Sequence, residues 1–445
     1  MKIAVIGGGI SGLVAAYRLC SEHDITVFEA NDYIGGHTNT VEIEFDGERH
    51  AIDMGFIVFN DWTYPSFIGL LDELGVASRS TTMSFSVSDE RTGLEYNGHS
   101  LNTLFAQRRN LLRPSFYRML ADILRFNREA RNLVIKGNDE ITVGEFLLQH
   151  RFSEEFARYY LLPMGAAIWS CPIGTFAQFP IRFIVDFYHN HGLLNVFRRP
   201  TWRVVEGGSR AYVNAMTRSF HDRIRLRTPV QSVRRFPNCV DVQPRGGPSE
   251  SFDHVIFACH SDQALRILGD AATTPERELL SAFPYERNVA VLHTDISLLP
   301  RTRRAWASWN YRLYGDDSCP ASVTYNMNIL QGVRSRHTFC VTLNDESRIA
   351  PEHVLRRFEY QHPVFTTQRR YAQARHAELL FANRTSFCGA YWRNGFHEDG
   401  VVSALAVVKA LRRIGSSADL GSTLMPSSPP AYKSACPTLL AGVAE

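Results

Sequence analysis

Over residues 2–29 the chain runs strand, glycine turn, helix, strand and acid, and that order leaves few folds open. A short hydrophobic strand, Ile3 to Ile6, leads into Gly7-x-Gly9-x-x-Gly12. An Ala- and Leu-rich helix follows over Leu13 to Leu19, and a second strand, Ile25 to Phe28, delivers Glu29 and Ala30. Gly7 permits the tight turn, Gly9 lets backbone approach a pyrophosphate, and Gly12 lets helix and strand pack closely. The helix N-terminus offers free N–H groups and a positive dipole end to phosphates, and Ile10 and Ser11 stand with the glycines as candidate cofactor-binding residues. Glu29 is placed to accept hydrogen bonds from a ribose diol, and its carboxylate would repel a 2′-phosphate, which disfavours NADP. A lone glycine fingerprint is weak evidence; strand, glycines, helix, strand and acid in sequence are strong.

Composition narrows the class. A chain of 445 residues with 44% hydrophobic and 21% charged content is an ordinary globular protein of two or three domains. A net charge of +3 argues against a nucleic-acid partner. Only Lys2, Lys136, Lys409 and Lys433 are lysines, so 44 of the 48 basic residues are arginines. The 8 cysteines are scattered without zinc spacing, and His189-Asn190-His191 has no further ligands nearby, so no metal is expected. The thiols and a first strand starting at residue 2 point to a cytoplasmic protein. Tyr159 to Ile181 carries no charge and is long enough to cross a bilayer. Pro163, Pro172, Pro180, Gly165 and Gly174 break it, so buried helices around an apolar cavity are expected.

Beyond the opening unit, residues 100–200 read as helical and arginine-rich. Strand candidates return at Ile224 to Arg227, Val230 to Val233, Val240 to Val242 and Val255 to Ala258. More follow at Val289 to His293, Ser322 to Tyr325, Thr338 to Leu343 and Thr385 to Ala390, before a helix near Gly400 to Arg413. There is no second complete glycine fingerprint. A separate NAD(P)H domain is therefore not expected, and electrons should come from the substrate and leave to oxygen or a quinone.

Four blocks resemble the superfamily of FAD-dependent amine oxidases, protoporphyrinogen oxidases and phytoene desaturases. The first is the fingerprint with Glu29 and Gly35-Gly36-His37, where the family has arginine after the glycines. The second is Asp53-Met54-Gly55 with Phe56, similar to the Asp-x-Gly loop beside the flavin. The third joins Glu206-Gly207-Gly208 to Val230, where the family contacts adenine, and to Asp253 through Ala258. The fourth is Gly389 through Gly400, beginning a helix whose N-terminal dipole faces the flavin pyrimidine.

The resemblance implies an α/β fold: a discontinuous Rossmann-like FAD-binding domain over 1–75, 200–270 and 380–414. An inserted α+β substrate domain with a helical insertion takes 76–199 and 271–379, and a flexible tail takes 415–445. It also implies FAD bound without a covalent link, because no cysteine precedes the Phe387 strand at the attachment spacing. The family's ribityl-contacting acid near Gly389 is Tyr391 here, which leaves Glu398 or Asp399 for that role. The middle of the chain lacks the lysine that many amine oxidases place near flavin N5.

More narrowly, Asp53 to Asn60, Met83 to Val87 and Leu101 to Asn110 are similar to a bacterial subgroup associated with cyclopropane fatty acyl synthases. That implies a fatty acyl chain or phospholipid as substrate, dehydrogenated by hydride transfer to flavin N5. One alternative is an amine oxidase without the usual lysine. Another is a flavin-bound accessory protein that presents lipid to a methyltransferase or cyclopropane synthase.

Phe396 stands where the family puts an aromatic wall facing the flavin, with Trp392 and Trp169 as further wall candidates. His397 is a candidate proton acceptor, since its pKa suits transfer near neutrality. Asn60 and Tyr64 follow the Asp53 loop. Between Arg108 and Arg131, Phe116, Met119, Leu120, Ile123 and Leu124 recur at helical spacing among Arg113, Arg118, Arg125, Arg128 and Arg131. Such a helix could lie peripherally on the inner membrane face; an ordinary surface helix is the plainer reading.

Overall fold

The computed structural model describes residues 1–136, 141–195, 198–314, 322–364, 366 and 368–417. The expected tail lies outside the described residues from 418 onward, as do Cys319 and Cys436.

Five parallel strands form one sheet, in the order Ile224–Arg225, Asp24–Phe28, Lys2–Ile6, His254–Phe257 and Thr385–Phe387. Three distant stretches of chain therefore build a single Rossmann-like sheet. Its central strands are apolar on both faces because both faces are covered. Alternation sends Ile3, Val5, Ile25 and Val27 into a core with Leu13 of helix Ile10–Leu19 and Val408 of helix His397–Ser417. Ala4, Ile6, Phe28 and Phe257 pack instead with Val233, Val240 and Val242. Those valines belong to an antiparallel sheet of Val230–Arg235, Val240–Pro244 and Glu250–Phe252.

A hairpin that the sequence reading left unassigned, Thr40–Phe45 with Glu48–Asp53, carries the chain to the Asp53 loop. Its turn residues Asp46 and Gly47 have φ of 51° and 75°, the two positive values a two-residue type I′ turn requires.

The second large sheet has seven strands, ordered Val354–Pro363, Tyr285–His293, Cys340–Leu343, Val323–Asn326, Trp309–Leu313, Phe85–Asp89 and Leu94–Asn97. All neighbours are antiparallel except Trp309–Leu313 and Phe85–Asp89. Helices from the 101–190 region pack against it through Phe116, Met119, Ala166 and Ile173.

The uncharged segment folds as short helices, Leu162–Trp169 and Ile173–Ala177, followed by Ile181–Asn190. Among the described residues no helix is long and apolar enough to cross a membrane. Just before them, residues Ala157–Leu161 form one π-helical turn. Pro163 explains it: proline has no N–H for the Tyr159 carbonyl four residues back. The Tyr96 hydroxyl donates to that carbonyl instead, at 2.6 Å. Tyr96→Phe should therefore leave a carbonyl without its donor and lower unfolding free energy by about 1–3 kcal/mol, read from urea denaturation.

Candidate functional site: a two-chemistry cavity

A cavity of about 1530 Å³ is lined by residues of both large sheets. Ordinary small-molecule sites span roughly 300–1,000 Å³, so this one has room for a dinucleotide and a second molecule.

The glycine turn forms one end. Gly7 has φ of +108°, and a Cβ there would lie 2.8 Å from the Ala258 carbonyl oxygen. A Cβ on Gly12 would lie 2.0 Å from the Gly7 oxygen, so the helix rests directly on the turn. A Cβ on Gly9 would meet nothing within 4 Å, because that position faces the open cavity. Opposite it, Gly35 donates to the Gly8 carbonyl at 2.8 Å, and a Cβ on Gly36 would come 3.1 Å from the Gly9 Cα. Ile10 and Ser11 line the cavity at the helix N-terminus, which presents unpaired N–H groups to an anion.

Glu29 is buried and also lines the cavity. Its Oε2 accepts from Gly8 N and its Oε1 from Asn31 N, both at 2.8 Å, which fixes the carboxylate while leaving lone pairs for a diol. Ala30, Val230 and Ala258 complete this end.

Asp53 holds the loop beside the cavity from behind. Its side chain, fully buried, accepts from Thr40 Oγ1 at 2.5 Å, from Ser209 N at 2.9 Å and Oγ at 2.8 Å, and from Gln331 Nε2 at 3.2 Å. One carboxylate thereby ties the hairpin, the Gly207-Gly208 turn and the end of helix Met327–Leu330 together. Beyond it Gly55 and Phe56 line the cavity, and Gly55 is compelled because a Cβ would sit 2.3 Å from the His37 oxygen.

His37 lines the cavity beside two histidines that the sequence reading missed. The His362, Tyr360 and His260 rings lie 5.2, 5.0 and 6.3 Å from it. Burial holds His37 well below the usual imidazole range and pulls His362 down to about 4, so the rings are neutral near pH 7. Chain distance hid the group: residues 37, 260 and 362 come from three separate segments. Cys259 also lines the cavity, and burial pushes its thiol up to about 12, away from the nucleophilic thiolate.

The far end is apolar: Tyr160, Met164, Ile168, Trp169, Phe187, Leu193 and Phe396. Phe396 stacks on Phe187 with centroids 5.1 Å apart, and Phe187 stacks on His191 at 3.8 Å. Tyr64 reaches the cavity, whereas Asn60 is turned to accept from Trp62 N and Thr63 N at 2.9 and 3.0 Å. Gly389 lines the cavity next to the start of helix His397–Ser417.

Four expectations need correction. Trp392 does not line the cavity; the 3₁₀ turn Ala390–Trp392 swings it onto His376, ring centroids 4.1 Å apart. Glu398 is not among the lining residues either, because it caps the next helix, accepting from Ser66 N at 3.0 Å and Phe67 N at 2.8 Å. Asp399 turns back to accept from Phe396 N at 2.9 Å and Asn394 N at 3.2 Å. These two acids hold the loop that presents Phe396 and do not face the ligand space. His397 does line the cavity, but it lies flat on Phe56 at 3.6 Å and its Nε2 is engaged by the Tyr212 hydroxyl at 2.6 Å. Burial lowers its pKa to about 3, so it is a poor proton acceptor. Among the described residues no cluster suited to a metal ion occurs.

Burial raises the Asp399 pKa to about 6. Both of its backbone hydrogen bonds fall on Oδ2, so the amide oxygen introduced by Asp399→Asn would keep them without the buried charge. A folded-state pKa above the unfolded value means the ionised carboxylate destabilises the fold, fully above about pH 6 and not below about pH 4. The variant should melt higher than wild type at pH 8, by at most ~3 kcal/mol in stability, and lose that advantage as pH falls through this window.

Residues 10–293 match the profile of the flavin containing amine oxidoreductase family. Over 56 residues the chain is 48% identical to a 4,4'-diapophytoene desaturase (4,4'-diaponeurosporene-forming) of Staphylococcus aureus. That match covers 12% of this chain and only 10% of the curated relative. Cyclohexylamine oxidase from Brevibacterium oxydans aligns over 93% of this chain and 99% of its own, with a TM-score of 0.66 and 16% identity. A CLA-producing fatty acid isomerase from P. acnes aligns over 92% and 98%, with a TM-score of 0.64 and 15% identity. At such identities the likeness to the solved structures is one of fold.

Proposed function

The chain belongs to the flavin containing amine oxidoreductase family, with FAD as cofactor, and from that premise we propose an FAD-dependent dehydrogenase of an apolar substrate, a fatty acyl chain or phospholipid. One observation carries the substrate class. Among the described residues, the apolar end of the cavity, from Tyr160 and Met164 to Phe187 and Phe396, contains no carboxylate to balance an amine cation. His191 there is held neutral, with burial lowering its pKa to about 4, and Arg199, which lines the cavity and acts on Tyr160, is itself a cation. A protonated amine entering there would give up hydration without a counter-charge, whereas a hydrocarbon chain loses nothing polar. The desaturase and fatty acid isomerase likenesses agree with this reading, and the amine oxidase likeness is the reason to test amines beside lipids.

The residues fit the cofactor. Gly9 and Gly36 leave room for the pyrophosphate against the helix N-terminus, Glu29 is set to receive the ribose diol, and Val230 lies at the adenine end. Bound FAD supplies a two-electron acceptor, which is the chemistry no side chain offers. The protein then has three tasks. The Phe187–Phe396 pair and Trp169 wall the substrate and exclude water. The N-terminus of helix His397–Ser417, beside Gly389, directs its positive dipole end toward the cavity. His397, neutral and pinned by Tyr212, holds Phe56 and the Thr38 segment in register without exchanging a proton.

Anaerobic mixing tests the proposal. Phospholipids carrying methyl-branched or cyclopropane acyl chains should bleach the oxidised-flavin absorbance, and Phe396→Ala should slow that bleaching about tenfold while FAD stays bound. Bleaching by amines alone would replace this reading with an amine oxidase. Bleaching by neither would leave a lipid-presenting accessory role. Glu29→Gln should weaken FAD retention roughly tenfold, measured by filtration of free flavin.

A further inference from the structure

From Tyr96 to Ala121 the chain carries Arg108, Arg109, Arg113 and Arg118 and no carboxylate. The same stretch displays large apolar side chains to solvent: Leu101 is 77% exposed, Leu112 87%, Leu111 46% and Tyr117 47%. These residues form one lobe. The Tyr117 hydroxyl donates to the Leu111 carbonyl at 3.1 Å, and the Phe105 ring packs 5.5 and 6.1 Å from those of Phe116 and Tyr117. Arg108 donates to the Phe105 carbonyl at 2.9 Å and to Asn102 Oδ1 at 2.7 Å, while Arg109 donates to the Gly93 carbonyl. Those acceptors are neutral, so both positive charges stay uncompensated. The lobe also opens on the cavity, which Gly98, His99, Ser100, Leu101 and Leu104 line.

The arginine-rich helix behind it is a different surface from the one its periodicity suggested. Helix Pro114–Lys136 has its apolar face already covered, with Phe116, Met119, Phe126 and Ala130 buried in the core. Arg125 lies over the Phe152 ring, bonds the Arg151 carbonyl and pairs with Asp122 at 3.2 Å, and Arg131 bonds the Leu194 carbonyl. Among the apolar residues of that spacing only Leu124 is exposed, with Leu120 and Ile123 half-buried.

We propose that residues 101–118 form a docking surface for an anionic lipid bilayer, with Leu111 and Leu112 entering the interface and Arg108, Arg109 and Arg113 engaging lipid phosphates. The mouth at Leu101 and Leu104 then faces the membrane, and an acyl chain reaches the apolar end of the cavity without crossing water. Uncompensated arginines select anionic over zwitterionic lipid, and exposed leucines among them supply the apolar insertion that charge alone lacks. Exposed apolar groups gathered at one place on a surface mark a contact, where single scattered ones do not. This inference rests on the lipid-substrate reading but is tested separately from it.

The FAD-loaded protein is sedimented with vesicles of phosphatidylcholine alone and of phosphatidylcholine with about a third phosphatidylglycerol. Wild type should sediment with the anionic vesicles only, and less as salt rises. Leu111→Glu with Leu112→Glu should cut that binding roughly tenfold or more, while flavin absorbance and bleaching by detergent-dispersed lipid are unchanged. Arg108→Gln with Arg109→Gln should erase the preference for anionic vesicles. Absence of vesicle binding by wild type, or binding unaltered by the leucine changes, overturns the proposal. So does a drop in solution mass in the leucine variant, which would make the patch an interface between copies of this chain. Vesicle binding without lipid bleaching would sink the substrate reading alone; bleaching without vesicle binding would sink only the docking surface.

Discussion

Everything at the ligand site depends on backbone approaching backbone where three pieces of chain meet above the parallel strands. The Gly7 carbonyl lies where a Gly12 side chain would have to be, Gly7 itself abuts Ala258 and Cys259, and Gly36 touches Gly9. No side chain spaces these contacts, so the turn, the return from strand His254–Phe257 and the His37 loop sit in one fixed arrangement. Their mutual closeness leaves Gly9 facing open space and the first N–H groups of helix Ile10–Leu19 turned to the cavity. An anion site of this kind needs no cationic side chain, which is how the chain tolerates histidine at position 37.

Buried carboxylates then fix what the glycines leave free. Asp53 gathers donors from Thr40, Ser209 and Gln331, so one group ties three separate segments of chain together. Glu398 caps helix Pro65–Leu74, and Asp399 closes the 394–396 loop on itself. Burial lifts Asp53 and Asp399 each to about 6, which shows that these acids serve local geometry at some expense in stability. The site is thus held from behind, by charges that never touch its contents.

How legible this was follows from the range of each signal. The fingerprint is local: strand, glycines and helix lie within 2–19, and the structure moved the strand start by one residue, to Lys2, and the helix start to Ile10, because Gly9 provides the extended residue before it. The Asp53 loop was readable as a motif although its partners, at 209 and 331, were not. Glu398 and Asp399 misled because residue type says nothing of direction at a helix start, where first-turn acids turn to free N–H groups before they turn to a ligand. Trp392 was lost to a single 3₁₀ turn, and the His37–His260–His362 group to sequence separation. The ten-residue strand Val354–Pro363 was missed because its outward residues, Arg356, Arg357, Glu359 and Gln361, mask the buried Tyr360.

The two ends of the cavity follow opposite electrostatic rules, and burial is what joins them. At the dinucleotide end the protein offers dipoles and N–H groups, which favour an anion without storing positive charge in a dry site. At the apolar end the same desolvation drives His191 and His397 to their neutral forms, which keeps imidazolium charge away from the aromatic walls, while Arg199 is a cation that reaches the cavity near Tyr160. A lysine placed between the two ends would be hydrated or would lose its proton; among the described residues lining the far end there is neither a lysine nor a carboxylate. A hydrocarbon beside a phosphate-bearing cofactor is the combination such a gradient of polarity suits. At the entrance charge is favourable, and the uncompensated arginines Arg108 and Arg109 are found there, outside the cavity and next to its mouth.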